Sequence, residues 1–286
     1  MSEGLLVLQS DFGISDGAVS AMHGVANSVQ RGLPIFDLTH QIPQYNIWEA
    51  SYRLLQTINY WPEETVFVSI VDPGVGSDRK SVVVKTKKNQ YIVTPDNGTL
   101  THVYKHIGIK EIREIDETVN RLPNSGESHT FHGRDIYAYT GARLAAGAIQ
   151  FENVGPILSL DSIVELPLKE STLENEVITG VVDVIDSPFG NLWTNISRLQ
   201  FKQLEGDYGD SFKISITTDR RTIYESTLVY GRSFAASQIG VPLLYINSLD
   251  NIAIAINQKS FADTYGIGTG INWIVTIQKV EKVVYN

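Results

Sequence analysis

The 286-residue sequence contains no cysteine. This absence excludes disulfide scaffolds, thiolate zinc sites, iron–sulfur clusters and cysteine nucleophiles. Long apolar runs are missing as well: the run near the N-terminus covers only Leu5 to Leu8, and nothing approaches the ~20 apolar residues of a membrane span. We therefore expect no signal sequence, no membrane partner and a cytoplasmic location.

Basic side chains are in the minority, because 23 Lys and Arg residues stand against 32 Asp and Glu residues, for a formal net charge of −9. Nucleic acid is not an expected partner, since phosphate binding needs clustered Lys and Arg. The motifs GxGxxG, Walker A, GxSxG and HExxH do not occur, which removes support for dinucleotide, nucleoside triphosphate and α/β-hydrolase chemistry. The chain length suggests about two domains, and apolar residues at 42% are enough to fill their cores.

Strand and helix patterns alternate in the first half of the chain. Apolar and β-branched runs predict strands at 4–9, 35–38, 65–71, 81–86 and 90–94. Helical spacing predicts helices between 16 and 32, at 47–60 and near 135–148. This alternation predicts an α/β domain with a mostly parallel sheet, which we assign to residues 1–165.

The pattern changes in the second half of the chain. Residues 152–175 are a polar, proline-containing connector without clear periodicity. Short strands then recur between Gly and Asp/Asn turns, at 177–185, 211–217, 222–228, 243–246, 252–256 and 273–278. Such a series predicts an all-β, barrel-like domain, which we assign to residues 166–286.

Acidic residues follow three of the predicted strands, at the sheet edge where α/β proteins bind ligands. Each of these Asp residues can simply cap the next turn or helix. Asp72 is the better candidate for ligand contact, because its Pro-Gly-x-Gly loop lets a ligand approach the backbone and Arg79 is close enough in sequence to pair with the carboxylate. The three segments are Ser10-Asp11-Phe12-Gly13, Asp37-Leu38-Thr39-His40 and Asp72-Pro73-Gly74-Val75-Gly76.

The histidines are weaker candidates for functional residues than the carboxylates at the strand ends. His132 stands at the start of a predicted helix, where a cap, a core residue and a functional group are all compatible with the sequence. His102 and His106 have the i,i+4 spacing of helical metal ligands, but no third ligand accompanies them, so we favour a solvated helix face. The sequence therefore predicts no metal site.

A dense segment runs from Asp186 to Ile196 in the second half. The carboxylate of Asp186 can pair with an ammonium group, Phe189 or Trp193 can cover a flat base, and the amide of Asn191 can bind the edge of that base. A simple hairpin with a packed aromatic side chain explains the same residues, so both interpretations stay open.

Together these segments resemble the S-adenosylmethionine (SAM) hydroxide adenosyltransferases, also called SAM hydrolases, which share a superfamily with the fluorinases and chlorinases. The resemblance covers nearly the whole chain and keeps both order and spacing. It implies an N-terminal α/β domain, a C-terminal β-barrel and a homotrimer with active sites at subunit interfaces. It is carried by Ser10-Asp11-Phe12-Gly13, Asp37-Leu38-Thr39-His40, Val71-Asp72-Pro73-Gly74-Val75-Gly76, Thr94-Pro95-Asp96-Asn97-Gly98, Phe131-His132-Gly133-Arg134-Asp135, Phe189-Gly190-Asn191 and Thr194-Asn195-Ile196.

The resemblance also implies a reaction and a set of site residues. Water attacks the ribose C5′ of SAM and releases adenosine and methionine, with Asp72, Arg79 and His132 as the catalytic set. Asp11 is expected on the ribose hydroxyls, and Asp16 and Asp186 near the methionine ammonium. Further substrate contacts, many from backbone atoms, are expected from Phe189, Asn191, Phe234 (or Tyr230 in its place), Ser248, Ile256 and Gln258. No cofactor or metal is implied, since SAM is the substrate.

Two other functions stay open. A halide adenosyltransferase is favoured by the segment from Asp186 to Ile196, which resembles the halogenase form of the motif, and by Tyr139, which replaces a Pro usual in the hydrolytic group. Asp72 and His132 argue against it, because the halide branch differs at these two positions. The direct link over 85–90 argues against it as well, because fluorinases carry an insertion there. A sensor that binds SAM or adenosine without turnover is the third possibility.

Overall fold

The computed structural model describes residues 4–127 and 130–280 of the chain. These residues form two compact units, of which the first extends to Leu166 and the second begins at Pro167. Within the described ranges, no helix has the length and apolar character needed to cross a membrane.

The first unit contains a seven-stranded sheet and its covering helices. Its strands and helices follow in chain order as β1 Leu6–Ser10, α1 Ala18–Val29, β2 Ile35–Thr39, α2 Ile47–Ile58, β3 Val66–Ile70, β4 Ser81–Thr86, β5 Tyr91–Pro95, α3 Thr101–His106, β6 Ile109–Glu114, a π-helical turn Gly133–Ala138 continuing into α4 Tyr139–Ala145, and β7 Ile157–Leu158. Short 3₁₀ turns lie at Phe151–Asn153 and Leu160–Ser162.

The sheet of the first unit is mixed, so the prediction of a mostly parallel sheet was wrong. Its strand order is β2-β1-β3-β5-β4-β6-β7. The pairs β1–β2, β1–β3 and β3–β5 are parallel, whereas β4–β5, β4–β6 and β6–β7 are antiparallel. The reason lies in the connection of β4 to β5 through residues 87–90, because a parallel pair needs a crossover of a dozen or more residues.

Alternating side chains of the central strands fill two hydrophobic layers. On one face, Leu6 and Leu8 of β1 pack with Met22 of α1. On the other face, Val7 packs with Leu54 of α2. All these side chains are buried, and truncating such a leucine to alanine typically destabilises a protein by about 2–5 kcal/mol. The two layers hold the carboxyl ends of β1, β2 and β3 in fixed positions.

The second unit is a β-barrel, as the sequence predicts. Seven strands close in the order β9-β10-β14-β13-β12-β11-β15, and β8 extends the sheet beside β9. Only β12–β13 is parallel among the pairs described for this unit. The elements are β8 Thr172–Glu174, β9 Val177–Asp186, β10 Asn191–Ser197, α5 Arg198–Phe201, β11 Ser211–Thr218, β12 Arg221–Tyr230, β13 Pro242–Ile246, β14 Asn251–Ile256, α6 Phe261–Tyr265 and β15 Gly270–Lys279, with 3₁₀ turns at Lys202–Leu204 and Phe234–Ala236.

The interpretation of His102 as part of a solvated helix face was wrong. His102 is buried, its ring meets Trp48 and Tyr52 edge-on, and its Nδ1 lies 2.9 Å from Oγ of Ser51. Burial lowers the pKa of His102 to about 4, with a smaller contribution from His106. The neutral imidazole is therefore a packing element of the α2–α3 contact.

Candidate functional site

A cavity of about 300 Å³ opens at the carboxyl ends of β1 and β3 in the first unit. Carboxylates, an imidazole and apolar side chains share its wall. Its lining residues are Asp11, Phe12, Asp16, Ala18, Gln44, Tyr45, Ile70, Asp72, Val75, Thr130, Phe131, His132 and Gly133. We call this the N-terminal cavity.

Asp72 and Arg79 form a nearly buried, two-point ion pair beside this cavity. Nε of Arg79 lies 3.0 Å from both carboxylate oxygens of Asp72, and Nη2 lies 2.5 Å from Oδ2. The side chains of Asp72 and Arg79 are only 6% and 11% exposed. Such forked, charge-assisted contacts fix the carboxylate plane more firmly than a single hydrogen bond does. Asp72 lines the cavity, whereas Arg79 is not among its lining residues.

His132 is bound to the same guanidinium. Nη2 of Arg79 donates to Nδ1 of His132 at 3.0 Å. Burial first, and then the charge of Arg79, lower the pKa of His132. Because Nδ1 accepts a hydrogen bond, the single proton of the neutral ring is on Nε2. His132 is thus a hydrogen-bond donor toward its surroundings at neutral pH.

A buried hydroxyl pair supports the other end of the guanidinium. Nη1 of Arg79 donates to Oγ of Ser81 at 3.1 Å, and that oxygen lies 3.1 Å from the hydroxyl of Tyr137. The guanidinium also lies over the Tyr137 ring, with 5.6 Å to its centroid. Burial raises the pKa of Tyr137 far above its ordinary value, so the phenol stays neutral. Arg79 is therefore oriented by groups on β4 and on the π-helical turn.

The two other carboxylates of the N-terminal cavity lie on loops. Oδ2 of Asp11 accepts a hydrogen bond from the backbone N–H of Tyr45 at 2.8 Å, and Oδ1 of Asp16 accepts one from the N–H of Ala18 at 2.9 Å. Asp16 therefore lies two residues before the start of α1, whose N-cap is Gly17. Each carboxylate retains further acceptor capacity, which suits a ligand with hydroxyl or ammonium donors.

A larger cavity of about 880 Å³ lies within the second unit. It contains the predicted binding residues Asp186, Phe189, Asn191, Phe234, Ser248, Ile256 and Gln258. The rest of its lining is Ser187, Pro188, Gly190, Trp193, Tyr245, Ile246, Asn247, Asn257, Lys259, Ser260 and Asp263. We call this the C-terminal cavity.

One wall of the C-terminal cavity is the turn between β9 and β10. Nδ2 of Asn191 donates to Oδ2 of Asp186 at 3.2 Å across the turn. Gly190 has φ +69°, and a Cβ at this position would lie 1.9 Å from Oγ of Ser260. Only glycine fits there without displacing the start of α6. Phe189, at the tip, is 67% exposed, which leaves a flat aromatic face for a ligand.

Aromatic side chains form another part of the lining. The rings of Phe234 and Tyr245 lie 4.9 Å apart, and Nε1 of Trp193 donates to the Tyr245 hydroxyl at 3.2 Å. Burial raises the pKa of Tyr245 to about 12. Tyr230 is buried against Phe201 and Phe212 and does not line the C-terminal cavity, whereas Phe234 does.

Several residues that line the two cavities were not predicted from the sequence. Phe12 and Phe131 pack edge-on in the N-terminal cavity, and Tyr45 fixes Asp11. In the C-terminal cavity, Nδ2 of Asn257 donates to backbone oxygens of Phe234 and Ser237. Phe12 and Phe131 belong to the family motifs that begin at Ser10 and end at Asp135, whereas nothing local in the sequence marks Tyr45 or Asn257.

Family models match both units of the chain. The model of the SAM hydroxide adenosyltransferase N-terminal domain matches residues 6–155, and that of the C-terminal domain matches residues 180–274. The chain belongs to the SAM hydroxide adenosyltransferase family. The resemblance inferred from the sequence motifs is thereby confirmed.

Relatives named as fluorinases and relatives named as SAM hydrolases are similar to this chain at comparable identity. A fluorinase from Actinoplanes sp. is 31% identical, over 95% of this chain and 97% of its own length. An (R)-S-adenosyl-L-methionine hydrolase from Methanocaldococcus jannaschii is 36% identical, over 74% of this chain and 73% of its own. A crystal structure of an uncharacterized conserved protein from Thermotoga maritima superposes with a TM-score of 0.85 at 32% identity, covering 96% of this chain and 99% of that one. Family membership by itself therefore does not distinguish water from a halide as the nucleophile.

Proposed function

We propose that this protein hydrolyses SAM to adenosine and L-methionine. The observation that carries the proposal is the hydrogen-bonded set of Asp72, Arg79 and His132 at the wall of the N-terminal cavity. Hydrolase-named relatives are consistent with it. Asp11 and Asp16 share that wall, and they suit the ribose hydroxyls and the methionine ammonium.

The reaction is a displacement at carbon. The oxygen of water forms a bond to the ribose C5′ while the C5′–sulfur bond breaks, and its electron pair goes to the sulfur of methionine. Because the sulfonium leaves as a neutral thioether, no general acid is required. The protein must align the water opposite sulfur, exclude competing solvent and accept one proton from the water.

The geometry divides these tasks between Asp72 and His132. Asp72 presents a carboxylate fixed by Arg79, so it is the acceptor for the water proton. Nε2–H of His132 donates toward the water oxygen and orients its lone pair, because Nδ1 is already bound to Arg79. Arg79 is a positioning residue in this scheme. General-base assistance of this kind contributes about 10²–10⁴ in rate.

The same carboxylate disfavours a halide nucleophile. An anion ~4 Å from an ionised carboxylate experiences a repulsion of about 4 kcal/mol at an effective dielectric constant of 20. That energy corresponds to a roughly thousandfold loss for the carboxylate taken by itself, and the paired guanidinium of Arg79 offsets part of it. Neutral water avoids this repulsion, so the charge of Asp72 favours hydrolysis over halide transfer.

The residues of the C-terminal cavity are proposed to bind the adenine and the methionine part of SAM. Phe189 and Phe234 offer aromatic faces to the adenine, and Asn191 offers an amide near its edge. Asp186 is a second carboxylate for the methionine ammonium, and Ser248, Ile256 and Gln258 contribute further contacts. A homotrimer with active sites at subunit interfaces stays a prediction, which sedimentation velocity tests. The cytoplasmic location and the absence of a required metal also stay predictions.

The decisive experiment is product identification. Purified protein is incubated with SAM in buffers with and without chloride, and the products are separated by chromatography. Adenosine and methionine in both buffers are expected. A 5′-haloadenosine that depends on chloride or fluoride would instead support the halide adenosyltransferase that the similar fluorinases suggest. Retained ligand without any product would indicate a sensor.

A further inference from the structure

Two histidines and one aspartate meet outside both cavities, on the face of the first unit formed by α1 and the end of β2. Nε2 of His23 lies 2.8 Å from Oδ1 of Asp37, and Nε2 of His40 lies 3.0 Å from the same oxygen. The three atoms lie within 4.8 Å of one another. Among the described residues, this is the group of His and acidic side chains whose geometry fits a metal ion.

We propose that His23, Asp37 and His40 form a binding site for a divalent transition-metal ion, with Zn²⁺ as its best match. The proposed site lies apart from the residues of the hydrolysis scheme, and it does not depend on that scheme.

The donor set determines the class of ion. Two imidazole nitrogens and one carboxylate suit Zn²⁺ and neighbouring transition metals, whereas Mg²⁺ and Ca²⁺ prefer oxygen ligands throughout. Zn–N and Zn–O bonds of about 2.0–2.2 Å place tetrahedral ligands about 3.3 Å apart. The present separations of 2.8 and 3.0 Å from Asp37 to the two histidines are slightly shorter. Outward shifts of a few tenths of an ångström would therefore admit the ion.

His40 is already oriented as a metal ligand. Its side chain is 2% exposed, and its Nδ1 lies 2.7 Å from Oγ of Ser10. Ligating histidines almost always bind a second partner through their other nitrogen, which fixes the ring and the tautomer. Ser10 has this role here, and it leaves Nε2 of His40 directed at Asp37.

The other two ligands leave an entry path and room for water. The side chains of His23 and Asp37 are 33% and 43% exposed. An ion can thus enter from solvent, and water can complete its coordination at the fourth position, as in open zinc sites.

The site is connected to the N-terminal cavity through the backbone. The carbonyl oxygen of His40 accepts a hydrogen bond from the N–H of Gly13 at 2.7 Å, and Ser10 directly precedes Asp11. A bound ion would therefore stabilise β1, β2 and the loop that carries Asp11, and binding to the folded state alone raises the unfolding temperature.

Metal titration of the full chain tests the proposal. Tag-free protein is treated with chelator, dialysed and titrated with Zn²⁺ by calorimetry and with Co²⁺ by visible absorption. We expect one ion per chain, a Co²⁺ spectrum of a nitrogen- and oxygen-ligated site, and a higher unfolding temperature with Zn²⁺. A tenfold excess of Mg²⁺ should leave the titration unchanged.

Variants distinguish this site from adventitious binding. His23→Gln and Asp37→Asn should each weaken Zn²⁺ binding at least tenfold, and both retain side chains of similar size. His106→Gln, an exposed histidine on α3, should leave it unchanged. Absence of stoichiometric binding would overturn the proposal. Equal Zn²⁺ affinity of the wild type and His23→Gln would overturn it as well, because the ion would then lie elsewhere.

Discussion

Replacing Asp72 by asparagine probes the charge that the hydrolysis scheme requires. Asparagine keeps the shape of the side chain but removes the negative charge and one acceptor. Asp72 is 6% exposed and is bound at two points by Arg79, so the substitution leaves the guanidinium without its counter-ion beside the N-terminal cavity. The variant should therefore lose a proton acceptor and gain a positive local field.

Loss of the proton acceptor should slow attack by water, whereas the more positive local field should favour attack by chloride. Loss of the base should lower kcat for hydrolysis by about 10²–10⁴ with little change in KM. Loss of the roughly 4 kcal/mol repulsion should favour an anion about a thousandfold. Because both effects enter the ratio of chloride transfer to hydrolysis, this ratio should rise by about 10⁵ or more.

Chromatography of the nucleoside products, with and without chloride, measures this ratio. Asp78→Asn is the matched control, because Asp78 is exposed in the same loop and does not line the cavity. Removing one partner of a buried pair costs about 3–5 kcal/mol, so the unfolding temperature of Asp72→Asn must first be shown to exceed the assay temperature. Unchanged hydrolysis in a folded Asp72→Asn protein would refute the role of this carboxylate.

Three further expectations follow from the same geometry. Tyr137→Phe removes a buried hydroxyl 3.1 Å from Ser81, so it should lower stability by about 1 kcal/mol in chemical denaturation and reduce kcat more than it changes KM. Gly190→Ala should raise KM and lower the unfolding temperature, because its Cβ would lie 1.9 Å from Oγ of Ser260; unchanged values would contradict the close packing. The pKa of His102 is lowered to about 4, so the unfolded chain binds a proton there first and stability should fall as pH drops from 6.5 towards 4, by about 3 kcal/mol in all. Denaturation of the wild type and His102→Gln across this range checks the sign, since the variant should lose that share of the pH dependence.

Local sequence patterns indicated many of the elements but not the direction of every strand pair. The β-branched runs at β3 and β4 are strands, and α2 begins at Ile47 as its apolar spacing predicts. The strand β6 was missed, because pairs of charged residues follow its two isoleucines, which are its only buried side chains, and break the alternation typical of a strand. Parallel and antiparallel pairing look alike in composition, and here the four-residue link between β4 and β5 decided it.

The candidate site likewise combines residues that sequence motifs mark with contacts that only the folded chain creates. Motifs with glycines and strand-end acids marked Asp11, Asp72 and His132, because these features are local. Nothing local places Nδ1 of His132 at 3.0 Å from Arg79, which is 53 positions away in sequence. The cluster of His23 and Asp37 was missed for this reason, and the prediction of no metal site rested on histidine spacing alone.

The sequence by itself determined the chemistry available to this protein: a chain without thiols, strands that end in carboxylates, and motifs that identify its family. Only the tertiary structure decided which groups meet, because the distance between residues far apart in sequence depends on how the helices pack on the sheet. That packing brings Arg79 between Asp72 and His132 and makes His102 a neutral core residue. Side-chain identity is local, whereas burial and charge pairing are properties of the folded chain.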